Sequence, residues 1–408
     1  MLKVEVSSDL VRGEVEEGYG RVADAFRRNF AERGEIGAAC AFYRDGRKVV
    51  DLWGGYRDGI AKLPWERDTL VTVFSATKGM SSAAIPVAHA RGWIDVEEPV
   101  ATYWPEFAQN GKAAITVRQL MSHQAGLAIL DRKLDLAAVA DVDRLATILA
   151  AQTPAWAPGT RQGYHAVTLG FYESELLRRV DPQGRTLGRF FAEEIAGVLD
   201  AEFYIGVPPE VGDERIATIH AFTPAEMVWH INDMPTRLLV SMLNPRGTLS
   251  RAMRTMSFLL EPGAFNRREV RAAELPSVNG TGQIRAMARI YGCLATGGTE
   301  LGLGPETLRL LEEPGTYPSG KRRDLVVQMD ARFSLGYLKP SPGHEFASSD
   351  RAYGTPGGGG SLGFVDPDAG VGYAYGMNRL GFHNPIDPRE LAIRAAFYDI
   401  IGERPQTM

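Results

Sequence analysis

The sequence predicts an α/β (α+β) fold in which an antiparallel sheet flanked by helices carries an inserted, mostly helical domain. Three observations predict it. Strand-like runs at 37–44 and 47–54 are joined by Arg44-Asp45-Gly46-Arg47, a long stretch from 98 to 280 reads as helices broken by Pro and Gly, and strand-like runs return from Phe333 onwards. Strands at both ends with helices between them imply one sheet assembled from both ends of the chain. At 408 residues the chain exceeds the size at which a single core usually keeps growing. Two packed parts are therefore expected, 1–95 with 276–408 forming the sheet domain and 96–275 the helical one, with the active site at their interface.

Each element has its own signal. Val15, Tyr19, Val22, Phe26 and Phe30 recur at helical spacing and stop at Arg33-Gly34, which predicts a first helix. Asp-Gly between the next two runs is a strong hairpin signal. Ser75 to Arg91 is rich in Ala and Met, so a helix opening at Ser75 is expected, kinked or shortened at Pro86. Leu134 to Ala151 and Leu187 to Val198 read as helices, and another should follow Asn279-Gly280-Thr281-Gly282 up to Leu294. Phe333 to Leu338, Ser361 to Val365 and Gly370 to Met377 look like strands, and Arg389 to Ile401 closes the chain as a helix.

A hydrophobic fraction of 44%, 23% charged residues and a net charge of −5 describe an ordinary globular protein without the basic footprint of a nucleic-acid binder. Cys40 and Cys293 sit alone in apolar surroundings and read as core residues of a reducing compartment. No basic stretch leads into an apolar run at the N-terminus, and no segment approaches a membrane span, so a cytoplasmic location without membrane partners is expected. The seven histidines never form HxH or HxxxH, and no metal or other cofactor is expected.

Chemistry concentrates at Ser75-Ala76-Thr77-Lys78. In a helix, positions three apart share a face, so hydroxyl and amine can meet. A serine attacks only if a neighbour takes its proton, and an amine does so only when uncharged. At its ordinary pKa, neutralising a lysine at pH 7 costs about 4.6 kcal/mol, which burial and the positive end of the helix would have to offset. By itself the motif is short enough to occur as a plain helix cap with a solvated lysine.

Further blocks add context: Met121-Ser122-His123-Gln124-Ala125-Gly126-Leu127, Trp156-Ala157-Pro158-Gly159-Thr160-Arg161-Gln162-Gly163-Tyr164-His165, and Tyr103-Trp104-Pro105-Glu106-Phe107 within 95–107. With these the chain resembles the serine β-lactamase and penicillin-binding-protein superfamily of the class C type, above all the family VIII carboxylesterases. The resemblance spans about 35–175 and resumes over 280–378. It implies that Ser75 is the acylated nucleophile, Lys78 its base partner and Tyr164 the tyrosine of the second motif. Which of Lys78 and Tyr164 holds the proton stays open, because a phenol beside an amine shares it.

Two departures shift the expected substrate. The second motif reads Tyr164-His165-Ala166 where lactam enzymes have Tyr-x-Asn, so the amide that helps hold a lactam is missing. Counting back from Gly363-Phe364 puts Gly357-Gly358-Gly359 at the third motif, without its cation or hydroxyl. The resemblance then implies that the backbone N–H groups of Ser75 and Gly360 form the oxyanion hole, while Gly358 and Gly359 let the substrate lie close. His165 is a lesser candidate for a base. Phe222, Met227, Trp229, Met234, Met242, Met253, Met256 and Phe258 form either helical core or the wall of an acyl pocket.

Gly359-Gly360-Ser361-Leu362-Gly363, followed by Asp366 or Asp368 and His383, imitates the nucleophile elbow of a different hydrolase fold. That elbow needs a helix after its serine, whereas strand-like residues follow here. The expected activity is therefore serine carboxylesterase action on short- to medium-chain acyl esters, with a small-molecule ester as partner. Acyl transfer, amide or β-lactam hydrolysis on the same site, and a binding protein that has lost catalysis, are the alternatives.

Overall fold

The computed structural model describes residues 8–223, 226, 240–241, 244–342, 344–383 and 386–403. Its main sheet contains β1 (Val11–Val15), β2 (Gly37–Arg44), β3 (Arg47–Asp58), β8 (Arg332–Ser334), β9 (Tyr337–Lys339), β10 (Tyr353–Pro356), β11 (Leu362–Asp366) and β12 (Val371–Met377), in the order β1-β3-β2-β12-β11-β10-β9-β8. A short β4 (Leu63–Pro64) adds to β3, and β5 (Val71–Thr72), β6 (Phe203–Tyr204) and β7 (Thr281–Gly282) form a separate small sheet. All of these pairs are antiparallel. The β2–β12 pairing, from Arg44 with Val371 to Ala38 with Met377, joins the two ends of the chain.

Strand alternation builds two cores. Ala38, Cys40 and Phe42 of β2 and Tyr373 and Tyr375 of β12 face one core with α1 (Gly20–Glu32) and the final helix, where Phe42 stacks on Phe397 at 3.9 Å. Ala39, Ala41 and Ala374 face the other, larger core, which takes in the helical middle of the chain. There the backbone of β12 lies directly against the helix Ile284–Ala295: a Cβ on Gly372 would stand 2.1 Å from the Gly292 nitrogen. Cys40 and Cys293 are buried free thiols.

The hairpin forms as its sequence predicts, with Asp45 (φ 50°) and Gly46 (φ 78°) both left-handed at the turn. Three readings need correction. Val15 belongs to β1, paired with Val50, and the first helix starts only at Gly20, after a turn through Gly18. The run 333–338 is two strands, because Leu335 and Gly336 both take positive φ and reverse the chain. The helix expected to open at Ser75 opens at Thr77, Ser75 lying in the 3-10 turn before it; the break expected from Pro86 is present, dividing α2 (Thr77–Ser81) from α3 (Ala84–Ala90), because Pro86 has no N–H to offer the Ser82 carbonyl. The helical middle of the chain contains the helices Leu136–Ala140 and Val142–Ala151 and, behind the site, α4 (Leu169–Val180). No described helix is long and apolar enough to cross a membrane.

Candidate active site

Ser75 sits in a tight turn of 3-10 helix, Phe74–Ala76, just ahead of α2. Phe74 takes a left-handed φ of 51°, an uncommon conformation for a bulky residue that lifts Ser75 out of the chain path. The turn is over-determined. The Val73 N–H donates to Gly280 O at 2.9 Å, the Ser361 hydroxyl donates to Val73 O at 2.7 Å, and the Thr77 hydroxyl donates to Phe74 O. Ser361 is thus spent on holding the turn and leads into a strand, which removes it as an elbow nucleophile.

Lys78 is fully buried, and its Nζ lies 3.4 Å from Ser75 Oγ. It donates to Ala166 O at 2.7 Å and to Ser277 O at 2.9 Å. A neutral amine has two hydrogens and one lone pair; with both hydrogens on these carbonyls, the lone pair is left for the Ser75 hydroxyl. Burial pulls the Lys78 pKa down to about 7, against a smaller upward pull from the Glu173 carboxylate. The expected neutralisation cost is therefore largely met by desolvation. α2, at five residues, is too short for its dipole to be the main cause.

Tyr164 closes the triangle: the Lys78 Nζ is 4.7 Å from its ring centre and Ser75 hydrogen-bonds its phenol. Burial pushes its pKa up to about 12, so it holds its proton where Lys78 begins to lose one. Its ring stacks on Phe333 at 5.8 Å, and its backbone N–H donates to Asp324 Oδ2 at 2.7 Å. Asp324 also takes the N–H groups of Val326 and Val327.

His165 turns away from Ser75. Its Nε2 accepts the Leu127 N–H at 3.0 Å, and its Nδ1 lies 3.2 Å from His123 Nδ1. Burial, then the charge of Lys78, lowers its pKa to about 3, so it is a neutral structural clasp between two loops. Its candidacy as a base falls with that.

The glycine run divides. Gly358 lines the cavity with Ser75, Tyr164 and Gly357, whereas Gly359 and Gly360 do not. The Gly360 N–H turns back to Gly357 O at 3.3 Å, and its α-carbon faces Asp387; Gly359 packs on Leu380. The strand end beside the nucleophile is Thr355-Pro356-Gly357, where a Cβ on Gly357 would stand 2.3 Å from Val73 O. The register counted from Gly363 was late, because the turn between β10 and β11 absorbs the extra glycines. A hydroxyl, Thr355, is accordingly present at that strand end, while a cation is not.

The cavity above Ser75 measures about 490 Å³ and is mostly apolar, with Leu249, Met253, Leu260, Val327, Met329 and Leu338 among its lining. Met253 thus lines it, Met256 is core and Phe222 stacks on Phe382; Met227, Trp229, Met234 and Met242 lie outside the described residues. Arg254 is also at the wall, but its guanidinium donates to the carbonyls of Ser250 and Pro245. Among the described residues no group of three or more His, Cys, Asp or Glu side chains could hold a metal ion.

The family model described as Beta-lactamase matches residues 22–396. The chain belongs to the beta-lactamase family. Within that family it is 36% identical over 395 residues to "Esterase/beta-lactamase LipL" of Mycobacterium tuberculosis, an alignment covering 96% of this chain and 87% of that protein. Among solved structures, a family VIII carboxylesterase superposes with TM-score 0.81 at 33% identity, covering 96% of this chain and 99% of that one. A penicillin-binding-protein homologue from Caulobacter crescentus matches with the same identity, TM-score and coverage. This beta-lactamase-family chain is a serine hydrolase. Sequence reasoning missed two of its buried acids, Asp324 behind Tyr164 and Glu173 behind Lys78; neither lies in a motif, and only the folded packing brings them to the site.

Proposed function

We propose that this hydrolase is a carboxylesterase for uncharged, short- to medium-chain acyl esters, acting through an acyl-enzyme on Ser75. The observation that carries the reading is the buried Lys78 amine, held by two carbonyls 3.4 Å from Ser75 Oγ at the floor of an apolar cavity. As Ser75 Oγ bonds to the ester carbonyl carbon, its proton passes to Lys78 Nζ. The carbonyl oxygen becomes an oxyanion, received by the N–H groups of Ser75 and Gly358. Collapse breaks the bond to the alkoxide, which takes the proton from Lys78 with Tyr164 as relay. Water then adds to the acyl-enzyme by the same proton route and frees Ser75. The sheet part (1–95, 276–408) and the helical part (96–275) meet at this site in the same proposal.

The missing cation at the β10 end and Ala166 in place of an asparagine both disfavour a carboxylate-bearing lactam. A p-nitrophenyl ester series from acetate to octanoate on wild type, Ser75→Ala and Ser361→Ala tests the reading. Ser75→Ala should lose activity at least about 10³-fold while Ser361→Ala keeps most of it; the reverse pattern would overturn it. Nitrocefin turnover exceeding ester turnover would instead establish a β-lactamase.

A further inference from the structure

Lys78 follows Ser75 by three residues, and Ser81 and Ser82 follow Lys78 by three and four, so the three side chains from Lys78 on share one face of α2 and its C-cap, with Ser75 in the turn that leads into it. The file leads away from the cavity to a carboxylate. The Ser81 hydroxyl donates to Glu173 Oε2 at 3.0 Å and the Ser82 hydroxyl donates to Glu173 Oε1. Glu173, on α4 (Leu169–Val180), is fully buried. Gly336 packs over it, since a Cβ there would stand 2.0 Å from Ser82 Oγ and 3.3 Å from Glu173 Oε1. No guanidinium or ammonium is hydrogen-bonded to it in the described residues; the cation that acts on it is Lys78.

We infer that Glu173 is a positioning residue for proton transfer: through the Ser81 and Ser82 hydroxyls it is fixed behind Lys78, where its negative charge holds the Ser75 proton on the amine. This rests on the reading of Lys78 as base. When Ser75 Oγ bonds to the carbonyl carbon, the proton moves from Oγ to Nζ and the new ammonium faces the carboxylate; Glu173 itself gains and loses nothing. The other titratable groups around the pair stay uncharged near neutrality. His165 and His123 are driven down by burial, and Tyr164 and Tyr337 are driven up by it. Burial raises Glu173 to about 7, with the serine hydroxyls and Lys78 pulling the other way, so amine and carboxyl titrate as a pair.

The test is the pH profile of kcat/KM for p-nitrophenyl butyrate with wild type, Glu173→Gln and Ser82→Ala. Glu173→Gln keeps the shape and removes the charge, so the ammonium form is less favoured. Its acid limb should move to lower pH by roughly one unit, with a lower plateau carried by kcat rather than KM. Ser82→Ala weakens the hold on the carboxylate and should move the limb the same way by less. A folded Glu173→Gln enzyme whose limb coincides with wild type, or moves upward, overturns the inference, as does a Ser82→Ala limb that fails to move if the Gln variant does not fold. Loss of activity in Ser75→Ala stays a separate requirement, so failure here leaves the esterase reading standing.

Discussion

The Lys78 amine lies over the ring of Tyr164 beside Ser75, with Nζ 4.7 Å from the ring centre, and burial drives the two pKa values in opposite directions. The amine falls to about 7 and the phenol rises to about 12. The same desolvation therefore divides the roles, since it disfavours the charged form of each group. Near neutrality the amine is the one able to accept a proton.

That division predicts the response to Lys78→Arg. A guanidinium keeps its charge at any working pH and has no lone pair to offer. Ester kcat/KM should fall at least about 10²-fold and lack the rise with pH through about 7 that the lowered Lys78 pKa predicts for the wild type. Steady-state kinetics between pH 5 and 9 measures both.

His165→Gln should change the pH dependence of stability. The folded pKa of His165 is lowered to about 3 from 6.5, so between those values the unfolded chain binds a proton that the folded one does not. Stability from this group is whole above 6.5 and is lost as pH falls towards 3, by at most about 1.4 kcal/mol per pH unit. The variant, destabilised at pH 8 by its lost hydrogen bonds, should close the gap to wild type on acidification. Urea melts at pH 8, 6 and 5 would show a constant gap if the histidine titrated normally.

Gly357→Ala and Gly358→Ala should separate fold from substrate. A Cβ at 357 would stand 2.1 Å from Ser361 Oγ and 2.3 Å from Val73 O, whereas at 358 the nearest atoms are 3.9 Å away. The first variant should lose about 1–3 kcal/mol of stability and much of kcat. The second should melt like wild type and change KM, as thermal melts with ester kinetics will distinguish.

Met253→Trp should shorten the accepted acyl chain, because Met253 is one of the apolar side chains that line the cavity above Ser75. The octanoate-to-acetate ratio of kcat/KM should fall about tenfold or more, consistent with a few lost methylene contacts. An unchanged ratio would place the acyl group elsewhere.

The hairpin at Asp45-Gly46 and the closing helix were legible because local chemistry decides them. Val11–Val15 was not: an edge strand of five residues with Gly13 at its centre carries little pattern, and its pairing with β3 is a long-range choice. Ser75, Lys78 and Tyr164 were legible as motif residues, and the structure brings them together. The glycine register was not, since four identical residues give no anchor for counting, and only the contact between Gly357 and Val73 fixes it. Glu173 is invisible for a simpler reason: one acid in an amphipathic helix looks like a solvated residue until Ser81 and Ser82 cover it.

The carbonyls that grip Lys78 come from Ala166 and Ser277, and neither is near the helix in sequence. The reactive amine is consequently a property of three remote segments at once. A folding intermediate in which α2 had formed but either carbonyl was out of place would hold an ordinary, protonated lysine beside an inert serine. Covalent capture of Ser75 by a fluorophosphonate would then time the closing of the whole chain, and a partly folded molecule would be protected from premature chemistry.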